Sequence, residues 1–475
     1  GSSPSLSGLR SRGCPAKPAA PRRPMGAPDA RTSGGPGGEL LTEASLAAAV
    51  REEVRAVEVI DVHTHLLPAS HGRLMLWGID ELLTYHYLVS EYFMVAPASM
   101  THEAFFRLSK REQADEVWQG LFIRRSPISE ACQGVLTTLK RLGLGDMMAA
   151  RDLTGIRAWF DAQDPEEHCE RIFRLAGVRY AVMTNIPYVP AEAEHWRAVP
   201  SKPVTRRFRT ALRIDAFLKG DWPAVCAALL VEELEPTFEG AREYLRRWAG
   251  ILKPEYMMAS TPGDWHFPER GAADGDAPLP GDAKMLVRAY TKPTPTMLLE
   301  EVVAPVCEEL SLPIALKLGA LRGMAPALDP CCGGDGVVGS DLGSLQRLCA
   351  RFPRVKFLAT VLSRSNQHEM TVVCQKTRNL HLYGCWWYCN NPSIIDELTR
   401  MRVELLGTAF TAQHSDCRVL EQLLYKWDHS REVIGNALLF YYERLVRSGW
   451  RLSRDELRRD VWNLLGGSYE EFMAR

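Results

Sequence analysis

Along the chain, short runs of almost unbroken apolar residues alternate with longer amphipathic stretches. The runs are VEVIDVHTH (57–65), RYAVMTNIP (179–187), FRTALRID (208–215), EYMMAS (255–260), LPIALKLG (312–319), VKFLATVLS (355–363), LHLYGCWWY (380–388) and TAFTAQHSD (408–416). Parallel strands covered on both faces have this character, because neither face meets water. Helical patterns lie between most of the later runs. The clearest is NPSIIDELTRMRVELLG. There Asn391 can cap, Pro392 takes the first helical position and Gly407 can end the helix, with Ile394, Leu398, Met401 and Leu405 on one face. Ahead of the first run, LLTEASLAAAVREEVRAV predicts a helix capped by Thr42. Eight such alternations predict an α/β fold, specifically a (β/α)8 TIM barrel.

Three stretches depart from the repeat. Residues 66–178, between the first run and the second, carry helical patterns and predict a helical insertion over the C-terminal mouth of the barrel, where active sites form. Residues 261–285 are rich in Gly, Pro and Asp and predict a loop. GMAPALDPCCGGDGVVGSD (323–341) predicts a flexible lid element after strand five. The barrel and its insertion are expected to span 39–475. Residues 1–38 hold seven Pro, eight Gly, six Ser and six basic residues, with Asp29 as the one acid. Such a segment buries too little apolar surface to offset its ordering entropy, so a disordered tail is expected, and its charge also fits an organelle-import segment.

Composition narrows the partners. With 46% hydrophobic residues the chain is that of a globular protein, and a net charge of −1 gives no support for nucleic acid or an anionic membrane. No run of about 18 apolar residues predicts a spanning helix. Twelve cysteines are scattered without paired CxxC motifs, which predicts reduced, buried thiols and a cytoplasmic setting.

The chemistry belongs at the carboxyl ends of the strands. His63 and His65 end the first run two positions apart, so an extended chain points both the same way. Asp416 ends the eighth run, which neighbours the first in a closed barrel. Two imidazoles and a carboxylate make a three-ligand site for a divalent ion, with an open position for water or substrate, and zinc suits that donor set best. His414, two before Asp416, shares its strand face and can support the ligands or simply pack; Gln413 does not share it. KWDHSR (426–431) predicts a solvated or salt-bridged helix surface, and the glycine pairs 333–334 and 466–467 lack the pattern of a phosphate loop.

IDVHTHL, the pair His86–Tyr87, the arginine of TALRID, and GCWWYCNNP followed by QHSDCR together resemble the amidohydrolase superfamily and, more narrowly, the uronate isomerases, over roughly residues 57–470. The resemblance implies that His63, His65 and Asp416 bind the metal. It implies that His86 and Tyr87 line the sugar site, that Arg213 and Arg418 hold the carboxylate or the enediolate, and that Trp386 and Trp387 wall the pocket. Its catalytic set is Asp416, Arg418, Tyr87 and His86. The chain departs from the family at two places. Ser90 stands where an arginine follows the HY pair. Strand five ends in ALKLGALRG, so Lys317 replaces a histidine and Gly323 follows Arg322; both Lys317 and Arg322 are expected at the substrate. Lys317 can pair with the substrate carboxylate, act as a base of lowered pKa, or pair with an acid.

The activity so implied is aldose–ketose isomerisation of hexuronates, D-glucuronate to D-fructuronate and D-galacturonate to D-tagaturonate. Moving a proton between adjacent carbons through a cis-enediol needs a base, an acid and positive charge near two oxygens, and these residues supply all three. The alternative is a metal-dependent hydrolase of the same superfamily, acting on an ester, lactone or amide. Such hydrolases want more imidazoles at strands five and six, where this chain has Lys317 and Ser363, which favours the isomerase. A catalytically silent sugar-acid binder is a third reading. The expected partner is a small-molecule sugar acid, and a homo-oligomer is left open.

Overall fold

The computed structural model describes residues 38–198, 206–269 and 293–475. The tail predicted at 1–38 lies outside the described residues except for Gly38, and so does the 261–285 loop from residue 270 onward. Helix α1 (Glu43–Ala56) begins where the sequence predicts. The Thr42 hydroxyl accepts from the Ser45 amide, and the Ser45 hydroxyl accepts from the Thr42 amide, so two of the amides orphaned at a helix start are satisfied.

Among the described residues ten short strands follow: β1 (Val59–Asp61), β2 (Val178–Val182), β3 (Phe208–Arg209), β4 (Leu212–Arg213), β5 (Met257–Ser260), β6 (Ile314–Leu318), β7 (Ala320–Leu321), β8 (Gly336–Val337), β9 (Phe357–Val361) and β10 (Leu380–Leu382). They pair in the orders β1-β2-β3 and β10-β9-β6-β5-β4, parallel throughout, while β7 and β8 form an antiparallel pair. The two parallel sheets meet through the Asn185–Leu212 bridge, with Arg213 N donating to Asn185 O at 2.9 Å. At the other edge Thr411 bridges Tyr383, and the chain then runs on to the first strand, where Asp416 N donates to His63 O at 3.2 Å and His65 N to Cys417 O at 2.7 Å.

Two predicted strands differ in detail. The 208–215 run is broken into β3 and β4, and Asp215 already opens a helical turn. The 408–416 run forms a single bridge rather than a ladder, because its carbonyls are used elsewhere: Asn390 Nδ2 donates to the oxygens of His414 and Ser415, each at 3.0 Å. Helix 392–406 turns its buried face by about one residue from the predicted one, with Ile395, Leu398, Thr399 and Arg402 inside and Ile394 and Met401 packed at its edge. Arg402 takes a core position with both terminal nitrogens of its guanidinium hydrogen-bonded there, to Gly384 O at 2.9 Å and Gln367 Oε1 at 3.0 Å.

The strand interiors pack into an apolar cluster that includes Ile60, Tyr180, Met258 and Leu358. The C-terminal helix Ser468–Ala474 closes its amino end with Tyr469 and Phe472. Gly466, at φ +143°, precedes that helix, and a Cβ there would stand 2.6 Å from Ile60 Cβ. At the carboxyl end, residues 66–177 fold into a set of helices with a separate apolar core, which includes Leu83, Phe105, Phe122, Leu139 and Ile156 and reaches Val419. Glu421 fastens this insertion. Its carboxylate accepts from Gly78 N at 3.1 Å and pairs with His168 Nε2 at 2.8 Å.

The 426–431 run is salt-bridged, Lys426 to Glu130 and Asp428 to Arg141, but Asp428 alone of its residues is exposed. Lys426, Trp427 and Ser430 are buried; Lys426 Nζ donates to Glu130 at 2.7 Å and Asn390 O at 3.0 Å, so its charge is neutralised inside. The eleven described cysteines are free thiols, most of them buried, as expected.

Candidate functional site

The residues after β1 stay extended, held on one side by Thr64 N donating to Val182 O at 2.8 Å and on the other by His65 N. The two imidazoles therefore face the same space, their rings edge to face at 5.1 Å. Asp416 meets them from across the closing edge. Its Oδ1 lies 3.0 Å from His63 Nε2 and 3.6 Å from His65 Nε2. Asp416 takes φ +54°, a left-handed conformation disfavoured for a residue with a Cβ. The strain is held by Asp61, the first residue of DVHTH, which the sequence analysis did not single out. Its carboxylate accepts from Ser415 N at 3.0 Å and from Trp427 Nε1 at 2.9 Å. Burial raises the Asp61 pKa to about 6 even though these donors oppose the shift.

Lys317 ends β6 inside this group and is 2% exposed. Its Nζ donates to His63 Nε2 at 2.6 Å and to Asp416 Oδ1 at 2.8 Å, and lies 4.7 Å from the centre of the Trp386 ring. Burial lowers the lysine pKa to about 8 while Asp416 resists the shift. Burial would raise the Asp416 pKa, but the Lys317 charge beside it holds it well below the usual carboxylate range. Burial, and then the Lys317 charge, lower His63 to about 3; burial also lowers His65 to about 3. Both imidazoles are thus neutral at pH 7, the form a metal requires.

Above this floor lies a cavity of about 320 Å3. His65, Asp416, Lys317, His86, Arg213, Arg322, Arg418, Trp386 and Trp387 all line it, so nine of the predicted site residues converge there. His63 sits directly beneath, fully buried. Tyr87 does not line this cavity; it lines a smaller neighbouring one with Tyr85, Asp416 and Lys426. It begins the body of helix His86–Phe93 and turns behind the wall, 5.9 Å from the Tyr388 ring and under Lys426 Nζ at 5.8 Å. Tyr85 lines the cavity instead. As the helix N-cap it is still extended at ψ 142°, and this turns its side chain inward beside His86. The helix boundary between the two tyrosines of YHY was the signal for this.

The cations are not equally free. Arg213 is paired with Asp215, Nη2 to Oδ1 at 3.1 Å, and Arg322 with Asp335. Arg418 makes no ion pair with any described residue. Glu421, an obvious surface partner for it, is committed to the insertion. Burial and then the Arg418 charge hold His86 at about 3, so it stands at the cavity as a neutral imidazole. The 323–341 loop forms the far wall with Asp329, Cys332, Gly334 and Asp335. Ser90 makes room for it: a Cβ on Gly333 would stand 3.2 Å from Ser90 Oγ and 3.4 Å from His86 Cβ, so a longer side chain at 90 would meet the loop. The buried His414 ring has no hydrogen-bond partner for either nitrogen among the described residues and packs on Tyr383 and His63.

The donor atoms of His63, His65 and Asp416 lie within 4.8 Å of one another. Two nitrogens and an oxygen at that spacing suit a divalent ion, which would find neutral imidazoles and an ionised carboxylate.

No protein-family model and no curated protein matches the chain. Solved structures do. A uronate isomerase from Bacillus halodurans C-125 is 38% identical, with a TM-score of 0.83 over 92% of this chain and 98% of the other. A glucuronate isomerase from Caulobacter crescentus gives a TM-score of 0.70 at 15% identity over 91% of this chain and 94% of the other. A uronate isomerase from Thermotoga maritima gives 0.69 at 15% identity over 92% of this chain and 100% of the other. The last two show the shared fold. On the identity and coverage of the first, the chain belongs to the uronate isomerase family of enzymes.

Proposed function

We propose that the protein interconverts hexuronate aldoses and ketoses, D-glucuronate with D-fructuronate and D-galacturonate with D-tagaturonate, in a (β/α)8 barrel with a divalent metal, zinc, at His63, His65 and Asp416. The observation that carries the reading is the convergence of Asp416, His86 and Arg418, which makes no ion pair with a described residue, on one cavity, in a chain 38% identical to a uronate isomerase. The hydrogen bonds that run from β1 through the parallel strands and back to His63 support the barrel.

The open-chain sugar acid offers a planar carboxylate at one end and an aldehyde at the other. A guanidinium can take the carboxylate bidentately, and Arg213 and Arg322 stand along the cavity wall for that purpose. Asp416 and His86 hold and move the protons. One proton leaves C2 and one reaches O1 to give the cis-enediol; then the O2 proton leaves and C1 gains one to give the ketose. Arg418, between these carriers, favours negative charge as it develops on the oxygens. A bound divalent ion would polarise the substrate oxygens. Trp386 and Trp387 exclude water from that end of the cavity.

The purified protein incubated separately with D-glucuronate and D-galacturonate, and followed by NMR, should form the ketose from at least one. Hydrolysis of an ester, lactone or amide panel with no ketose formed would replace this reading with the hydrolase. Metal analysis should find about one zinc per chain, lost in the His63→Ala, His65→Ala double variant. Equal occupancy in that variant would remove the assigned ligands.

A further inference from the structure

Lys317 stands where the family has a histidine, and its position does more than line the cavity. His63 Nε2 and Asp416 Oδ1 are 3.0 Å apart, and Lys317 Nζ is 2.6 Å from the first and 2.8 Å from the second. These three atoms form a tight triangle. If His63 Nε2 accepts from the ammonium, it cannot also donate to Asp416, so its proton sits on Nδ1. Two lone-pair atoms at 3.0 Å repel unless a positive group lies against both, and Nζ is that group. A divalent ion would use the same two lone pairs.

We propose that Lys317 is an internal competitor of the metal: its ammonium occupies the lone pairs of His63 and Asp416, so the ligand set is assembled before metal arrives and metal must displace the lysine to bind. This rests on the metal reading above. Three observations carry it. Nζ contacts two of the three assigned ligands, and Lys317 and His63 are both buried. The lysine has somewhere to withdraw to, because its Nζ already lies against the Trp386 ring and its side chain borders the cavity. No other cation of the described residues hydrogen-bonds either ligand, as Arg213, Arg322 and Lys426 donate to other partners. The consequence is a site selective for ions that bind strongly enough to expel an ammonium, zinc over magnesium, and one whose ligands stay ordered when empty.

The test is metal affinity, read without turnover. Zinc and cobalt are titrated into the metal-free parent, Lys317→Met and Lys317→Gln, with a chromophoric chelator as competitor and the cobalt absorption band as a report of ligand geometry. Both variants should bind each ion more tightly than the parent, on the order of 10- to 100-fold, as removal of one like charge within contact distance implies. The metal-free variants should melt at lower temperature than the metal-free parent, and saturating zinc should raise their melting temperature by more than it raises the parent's. Circular dichroism matched to the parent establishes that a variant is folded, and two substitutions of different polarity guard against one that is not. Weaker binding in both variants would mean the lysine amine is itself a ligand and would overturn the proposal. Affinity unchanged within about twofold would overturn it as well, since competition must leave a mark. The parent's own zinc content tests the metal reading, whereas the ratio of variant to parent tests this one, so the two can fail separately.

Discussion

The two ends of the strand layer are built from the same short segments and could hardly be more different. At the amino end, Ile60 and Tyr180 meet Tyr469 and Phe472, with Gly466 backbone pressed on Ile60. At the carboxyl end the next few residues along those strands are His63, Arg213, Lys317 and Asp416, each buried or nearly so and each tied to an opposite charge or a lone pair. One end derives its order from dispersion and water exclusion, the other from compensated charge, which is costly to leave unpaired. Stability and chemistry are therefore separable by position, and substitutions at each end should tell them apart.

The largest effect belongs to Asp416. Asp416→Asn removes a proton carrier and a partner of Lys317, and should lower kcat by about 10⁴. Loss of less than tenfold with the fold intact would take Asp416 out of the chemistry. At the opposite end, Phe472→Ala should lower stability by about 3–5 kcal/mol in denaturant titration. The fraction still folded should turn over at the parent kcat, and a proportionate fall in kcat would join the two ends that the comparison keeps apart. Arg418→Met should lower kcat by about 10²–10³ with the melting temperature unchanged, and Arg418→Lys should remain impaired because it lacks the fork. A parent-like rate in Arg418→Met would place the guanidinium outside the reaction. The smallest and sharpest test is the tyrosine pair. Tyr87→Phe should alter kcat/KM by under about twofold and Tyr85→Phe by on the order of tenfold, since only the second removes a hydroxyl from the cavity. The reverse order would restore Tyr87 to the sugar site.

The strand series, the helical insertion and the HxH-to-Asp416 convergence were legible because they depend on local pattern: apolar runs, helical spacing and the strand period of two. What could not be seen depends on where a chain stops being regular. Tyr85 and Tyr87 differ by a helix boundary, which sequence fixes only to within a residue or two. The 408–416 run looks like a strand, yet Asn390 takes its carbonyls, and nothing near residue 408 announces that. Arg402 and Lys426 look exposed on a helical wheel. Their burial follows from acceptors far along the chain, Gly384 O for one and Glu130 for the other. Asp61 was hidden by its neighbours, because its partners Ser415 and Trp427 lie more than 350 residues away.

Glu421 makes the insertion and the reaction centre mechanically one part. A single carboxylate grips Gly78 and His168, one ahead of the YHY segment and one at the insertion's end, from a position three residues past Arg418. That grip is one of the ties, with Lys426 to Glu130, that hold the helix of His86 in place over Asp416. Anyone grafting an insertion from a relative to change substrate preference would be replacing a hinge plate together with its door, and the graft would have to bring its own donors for Glu421.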